Sequence, residues 1–137
     1  MIYPYLTYCT EVWGNTHQTT LKKLLILQKK VARIISYSYY HANSDPLFKT
    51  LKILPVAKLY VYLVALFMFK YHHNLLPDIF TDMFSTNNST HDYDTRFGKD
   101  LRIPLSTLTL RSKTINVRGV KIWNLVNNLN LQQSFFC

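Results

Sequence analysis

The alternation of apolar and polar positions divides the chain into helical stretches separated by polar breaks. The best-defined run covers residues 20–37. At about 100° per residue, Leu21, Leu24, Leu25, Leu27, Val31, Ala32, Ile34 and Ile35 share one half of a helix. Lys22, Lys23, Lys29, Lys30 and Arg33 gather within about a third of the circumference on the other side. Ile26 interrupts that basic arc, and Gln28 intrudes among the apolar residues. Thr19 or Thr20 is the expected N-cap, because a threonine hydroxyl can accept a first-turn N–H.

Two further helices are predicted downstream. Asp45 before Pro46 reads as an N-cap followed by a first-turn proline, opening a short helix over 47–51. Pro55 begins a helix through 59–73 that is apolar nearly all round and therefore central. Val61, Val64 and the tyrosines also suit a strand, but the length of the run decides for helix. Leu76-Pro77 ends it. The unbroken apolar stretch 59–69 is far shorter than the about 20 residues a membrane span needs.

Residues 81–100 shift to Thr, Asn, Ser and Asp, and Asp78, Asp82, Asp92, Asp94 and Asp100 mark an exposed connection. Residues 103–117 alternate loosely and read as extended or irregular. Gly119 precedes a short amphipathic turn carrying Val120, Ile122, Trp123, Leu125 and Val126. The end of the chain reads as a weak tail. Together these elements predict a mainly α fold, a small helical bundle with an irregular, partly extended C-terminal tail. Its expected organisation is a helical region 1–77, a polar linker 78–100, and an irregular tail 101–137 with a short terminal helix.

Composition supports a folded chain: 48% of residues are apolar and 17% charged, which counts against global disorder. Three glycines are too few for the turns of an all-β sandwich. Charge changes the picture more. Sixteen Lys and Arg stand against seven Asp and Glu, a net charge of +9, which suits a polyanionic partner. No acid lies between Glu11 and Asp45, so the stripe Lys22, Lys23, Lys29, Lys30 and Arg33 is not neutralised within its own segment.

Long cations along one helical face can track phosphates without reading bases. The competing reading of the stripe is an ordinary solvated surface. A second acid-free stretch supplies Arg102, Arg111, Lys113, Arg118 and Lys121. Tyr37, Tyr39 and Tyr40 follow the basic helix; they can stack on bases, but packing is the commoner fate of such rings.

No catalytic constellation is visible. His72 and His73 are adjacent and point to different helix faces, and His17, His41 and His91 lack ligand spacing. Asp92 and Asp94 could share one side of a strand and hold Mg²⁺, but no third carboxylate is nearby, so a solvated loop is the expectation. Glycine-rich phosphate loops, G-x-S-x-G and C-x-x-C are all missing. The expectation is therefore no catalytic residue, metal, cofactor or small-molecule substrate. Cys9 and Cys137 do not make a disulfide framework, and no basic leader followed by an apolar core is seen. An intracellular setting, cytoplasmic or nuclear, is expected.

The opening is abrupt, with Ile2, Tyr3, Tyr5, Leu6, Tyr8, Val12 and Trp13 crowded before Gly14. Free termini are usually polar, which raises the expectation of a truncated chain. The segments carrying a family likeness are Ile2-Tyr3-Pro4-Tyr5-Leu6-Thr7-Tyr8-Cys9 with Val12-Trp13-Gly14, then Leu27-Gln28-Lys29-Lys30-Val31-Ala32-Arg33-Ile34-Ile35 and Asp45-Pro46-Leu47-Phe48. Leu76-Pro77, Tyr93-Asp94-Thr95-Arg96, Ile103-Pro104, and Val117 through Gly119 to Trp123-Asn124 continue the series.

In order and spacing these segments resemble the region after the polymerase palm in non-LTR retrotransposon reverse transcriptases, especially the Jockey-like group. The resemblance implies a helical thumb-like segment outside the catalytic palm, whose Mg²⁺-binding aspartates sit in an aromatic-Ala-Asp-Asp motif that this chain lacks. It also implies an RNA template or RNA–DNA hybrid as partner, together with the missing palm. One departure is that Trp123-Asn124 runs into Leu125-Val126, where the family has a Leu-Pro pair. Other readings of the chain are a protein-interaction module docking through Tyr3, Tyr5, Tyr8 and Trp13, and a relic reading frame without function. A basic amphipathic helix on an anionic membrane is the least supported, and no membrane partner is expected.

Overall fold

The computed structural model describes residues 3–89 and 98–128. The chain is mainly α, and among the described residues the only β-type pairing is one antiparallel bridge. It divides into two compact units, Met1–Leu63 and Val64–Cys137.

The first unit opens with two short helices, α1 (Tyr3–Thr7) and α2 (Thr10–Trp13). Thr10 is fully buried and its hydroxyl donates to the Leu6 carbonyl. The Trp13 indole N–H donates to the Tyr8 carbonyl at 2.7 Å. Gly14 closes the pair because nothing larger fits: a Cβ there would stand 2.5 Å from both the Tyr60 ring and the Thr10 carbonyl oxygen.

Helix α3 (Gln18–Ile35) confirms the strongest periodicity but not its predicted cap. His17, not Thr19 or Thr20, is the N-cap, and it makes no side-chain capping bond. Its extended backbone lets its carbonyl take the N–H groups of Thr20 and Leu21 at 3.0 and 3.3 Å, so both threonines already lie inside the first turn. The buried strip is narrower than the apolar arc. Gln28 and Ala32 are buried, whereas Leu27, Ile34 and Ile35 are exposed.

Helix α4 (Ser44–Thr50) packs against α3. Its cap is Asn43, whose Oδ1 accepts the Asp45 N–H at 3.1 Å, rather than Asp45 itself. Asp45 instead places its carboxylate in the first turn, where it complements the helix dipole. Helix α5 (Val56–His72) follows Pro55 as predicted, and its midpoint contains the boundary between the units. Val56, Tyr60, Val64 and Met68, at four-residue spacing, are all buried along it.

Three helices end in the same way. The N–H of Ser38 bonds the Arg33 carbonyl, that of Ile53 bonds Phe48 and that of Leu75 bonds Lys70, at 3.0, 2.9 and 2.8 Å. These are Schellman closures, which need a left-handed residue before the donor. Tyr37, Lys52 and Asn74 fill that position with φ of 51°, 53° and 54°. Only asparagine among the three tolerates it well; for the others the conformation costs about 1–2 kcal/mol that glycine avoids. Lys52→Gly should therefore raise stability by about 1 kcal/mol, read as a higher midpoint in urea at unchanged slope.

In the second unit, the remainder of α5 is followed by a 3-10 turn (Asp78–Phe80). The Tyr71 hydroxyl lies 2.9 and 3.1 Å from the Thr81 and Phe84 carbonyls, and its ring meets Phe84 edge to face at 4.7 Å. The expected polar connection closes on itself. Thr86 bridges Leu101, and the N–H groups of Asn87, Asn88 and Arg102 donate to Asp100, Gly98 and Ser85.

Residues 102–107 are irregular, as expected, but the rest of the stretch 103–117 is not: it turns helical in α6 (Thr109–Ser112) and again where α7 (Ile115–Asn128) begins. Gly119 lies inside α7 rather than ahead of it. The reason is a close approach, since a Cβ there would come within 3.0 Å of the Met68 sulfur. Val117, Val120 and Trp123 supply the buried face of α7. Asn124 grips the stem: its Nδ2 donates to the Leu101 carbonyl at 2.9 Å and its Oδ1 accepts the Leu101 N–H at 3.3 Å. Asn124→Ala should cost about 1–3 kcal/mol by orphaning both groups, and faster amide exchange at Leu101 would register it.

Candidate nucleic-acid interface

The five cations singled out in the sequence lie on α3, and the structure separates them by role. Lys22, Lys23 and Lys30 are exposed; Lys29 and Arg33 are half-buried. Among the described residues no side-chain hydrogen bond or ion pair holds Lys22, Lys23, Lys29 or Lys30. Arg33 is different, since its Nε donates to the Ala42 carbonyl at 2.9 Å. That bond pins the segment leading to α4 and leaves the outer guanidinium nitrogens for a further acceptor.

Helical geometry sets the spacing of the lysines. Lys22 and Lys29, like Lys23 and Lys30, are two turns apart, about 10.5 Å along the axis. Phosphates advance about 3.4 Å per step along each strand of a duplex, so each pair spans about three steps. Ile26 is exposed between the two rows, as its position in the sequence implied.

The lower edge of this arc meets a strip of exposed apolar side chains. Leu27 is 57% exposed and Ile34 73%. Beyond the helix end, Tyr37, Tyr39 and Tyr40 are 98%, 91% and 70% exposed, so none of the three rings is in the core that packing would have put it in.

A second cationic group in the same unit escaped the sequence reading. Lys49, Lys52 and Lys58, all exposed, line a cleft of about 470 Å³ together with Asp45, Phe48 and Ile53. They come from the last turn of α4, its left-handed terminus and the first turn of α5. Charge counting alone had no means of joining them, because the turn at Lys52 brings them together. In the second unit Arg102, Arg111, Arg118 and Lys121 are exposed and Lys113 is half-buried.

Among the described residues no group of three His, Cys, Asp or Glu could hold a metal ion. His91, Asp92, Tyr93, Asp94, Thr95 and Arg96, together with residues 129–137, lie outside the described residues. No helix among those described is long and apolar enough to cross a membrane. Comparison with known proteins finds no matching family model, no similar curated protein and no similar solved structure.

Proposed function

We propose that this chain is a non-catalytic segment of a retrotransposon-encoded RNA-directed DNA polymerase that grips template or template–primer hybrid by its phosphates. The observation that carries the reading is the α3 arc: Lys22, Lys23, Lys29 and Lys30 stand along one side of one helix, without an internal partner among the described residues. The lack of any acid between Glu11 and Asp45 leaves that charge uncompensated locally. Ordered sequence segments resembling the post-palm region of non-LTR reverse transcriptases supply the second support, and the net charge of +9 the third. In this reading the catalytic aspartates belong to a palm that is not among these residues, and the chain contributes hold rather than chemistry.

A second, compatible role is favoured by the exposed apolar strip Leu27, Ile34 and Ile35. In the parental polymerase that strip would seat α3 against another part of the enzyme, leaving the lysines outward. The direct test is titration of the full chain against a labelled RNA–DNA hybrid at several salt concentrations. Salt-sensitive binding supports the proposal; binding that ignores salt, or none at low salt, sinks it. Translation of the frame upstream of Met1 in the transcript tests the parentage separately, through the presence of an aromatic-Ala-Asp-Asp motif.

A further inference from the structure

We infer that Tyr37, Tyr39 and Tyr40 form a platform on which unpaired nucleotides stack, at the end of the strand track laid by the α3 lysines. The inference rests on the reading of α3 as a phosphate-binding face and adds the form of nucleic acid it takes.

Tyr37 carries backbone strain without packing. Tyr37 occupies the left-handed position of a Schellman closure, where glycine is the natural residue. A bulky side chain at positive φ persists when something compensates it, and here the ring is 98% exposed and contributes no core contact. The fold would be served better by glycine, so the use of the ring lies outside the fold.

The backbone that carries the rings is preorganised. The Ser36 hydroxyl donates to the Ala32 carbonyl at 2.8 Å and lies 2.9 Å from the Ser38 hydroxyl. The Ala42 N–H reaches the Tyr39 carbonyl at 2.9 Å, and the Arg33 Nε holds the Ala42 carbonyl. The backbone beneath the rings is thus tied at both ends while the rings stand out in solvent. Tyr40 meets the exposed His41 ring edge-on at 5.1 Å, extending the aromatic surface.

Local charge selects the occupant. Tyr37 follows Lys30 by seven residues and Arg33 by four, about two turns and one turn of helix, and no acid occurs between Glu11 and Asp45. A polyanion is the partner whose charge complements that setting. At the C-terminal end of α3 the helix dipole is negative, which disfavours phosphates there and leaves the rings to uncharged groups. A base face meets both conditions: it stacks on tyrosine and carries its phosphate back toward the lysines. Duplex bases have their faces covered by neighbours, so the platform takes unpaired nucleotides.

The experiment compares the full chain with two triple variants, Tyr37→Gly with Tyr39→Ser and Tyr40→Ser, and Tyr→Phe at all three positions. Each is titrated against an oligouridylate, an abasic strand of the same length, and an RNA–DNA hybrid. The first variant should lose about five- to 150-fold in affinity for oligouridylate per base that stacked. It should keep its affinity for the abasic strand and the hybrid, and the phenylalanine variant should keep all three.

Because Tyr37→Gly relieves a strained residue, thermal melting should show the first variant folded. Equal binding of oligouridylate by that variant and the native chain overturns the platform, and the α3 reading survives if Lys→Gln changes still weaken every probe. Failure of the native chain to bind any probe overturns both. A tyrosine-dependent dimer in sedimentation without oligonucleotide assigns the surface to a second copy and overturns the platform alone.

Discussion

Replacement of Lys22, Lys23, Lys29 and Lys30 together by glutamine is expected to abolish most of the salt-dependent affinity for nucleic acid. Each phosphate neutralised contributes about 0.9 to the log–log salt slope on duplex. The sequence stripe of five cations implies a slope near −4.5 by that rule. The Arg33 Nε bond to the neutral Ala42 carbonyl leaves its charge and outer nitrogens available, so the four lysines account for about −3.6 of that slope and Arg33 for the rest. Raising salt from about 50 to about 200 mM should then weaken the native chain by between about two and three orders of magnitude.

The quadruple variant should show only the shallow slope that Arg33 leaves and an affinity at least about tenfold lower at the low-salt end, alike for all sequences. Arg33→Ala belongs in the series as a contrast. Losing the bond to Ala42 frees the segment before α4, so its effect should appear in stability as well as in binding. A native slope that the lysine changes do not alter would move the binding face elsewhere, with Lys49, Lys52 and Lys58 the next candidates.

The largest stability effect is expected at Gln28. Its side chain is buried on α3 and reaches the start of α5: Nε2 donates to the Leu54 carbonyl at 2.8 Å, and Oε1 accepts the Val56 N–H at 3.0 Å. Val56 is the first residue of α5, and its N–H has no partner within its own helix. Gln28 therefore caps α5 from across the unit and ties it to α3. Gln28→Ala removes both bonds, strands the buried Val56 N–H, leaves the part-buried Leu54 carbonyl to water, and opens a cavity, at a cost of about 2–4 kcal/mol.

Gln28→Glu tests the geometry differently. Its carboxylate can still accept from Val56 but, when ionised, cannot donate to Leu54, and a buried charge adds its own penalty. Both variants should lower the urea midpoint strongly, with the Glu variant partly rescued at acid pH, where the carboxyl carries a proton to donate. Wild-type stability in Gln28→Ala would show that the clamp contributes little.

Gln28 also shows how the sequence and the structure diverge. The period of α3 and the length of the apolar run in α5 are local properties, and both helices appear where periodicity puts them. Gln28 is an anomaly in that pattern because its partners lie 26 and 28 residues away. Caps failed for a related reason. Thr19, Thr20 and Asp45 are good capping residues, but His17 and Asn43 take the positions that backbone direction selects.

By sequence Gly119 stands ahead of a short terminal turn, because the close approach to Met68 that explains a glycine inside α7 is tertiary. For the candidate interface, the lysine arc was legible because all its members share one helix. The Lys49, Lys52 and Lys58 group was not, because it needs the turn at Lys52. Apolar periodicity likewise marks which side of α3 can be buried, not how much of it is, so the exposure of Leu27, Ile34 and Ile35 was invisible.

The paired stem at Thr86 and Leu101 has a consequence for how the protein can change length. The stem is held by Asn87 with Asp100, Arg102 with Ser85, and the Asn124 side chain, so its register is fixed from two directions. A residue inserted beside Asn87 or Arg102 should therefore shift that register by one place and cost the stem its bonds. The same insertion one turn into α7 would tear Asn124 from its register. Tolerance to variation in the second unit is thus set by where the stem is tied, not by how polar the sequence looks.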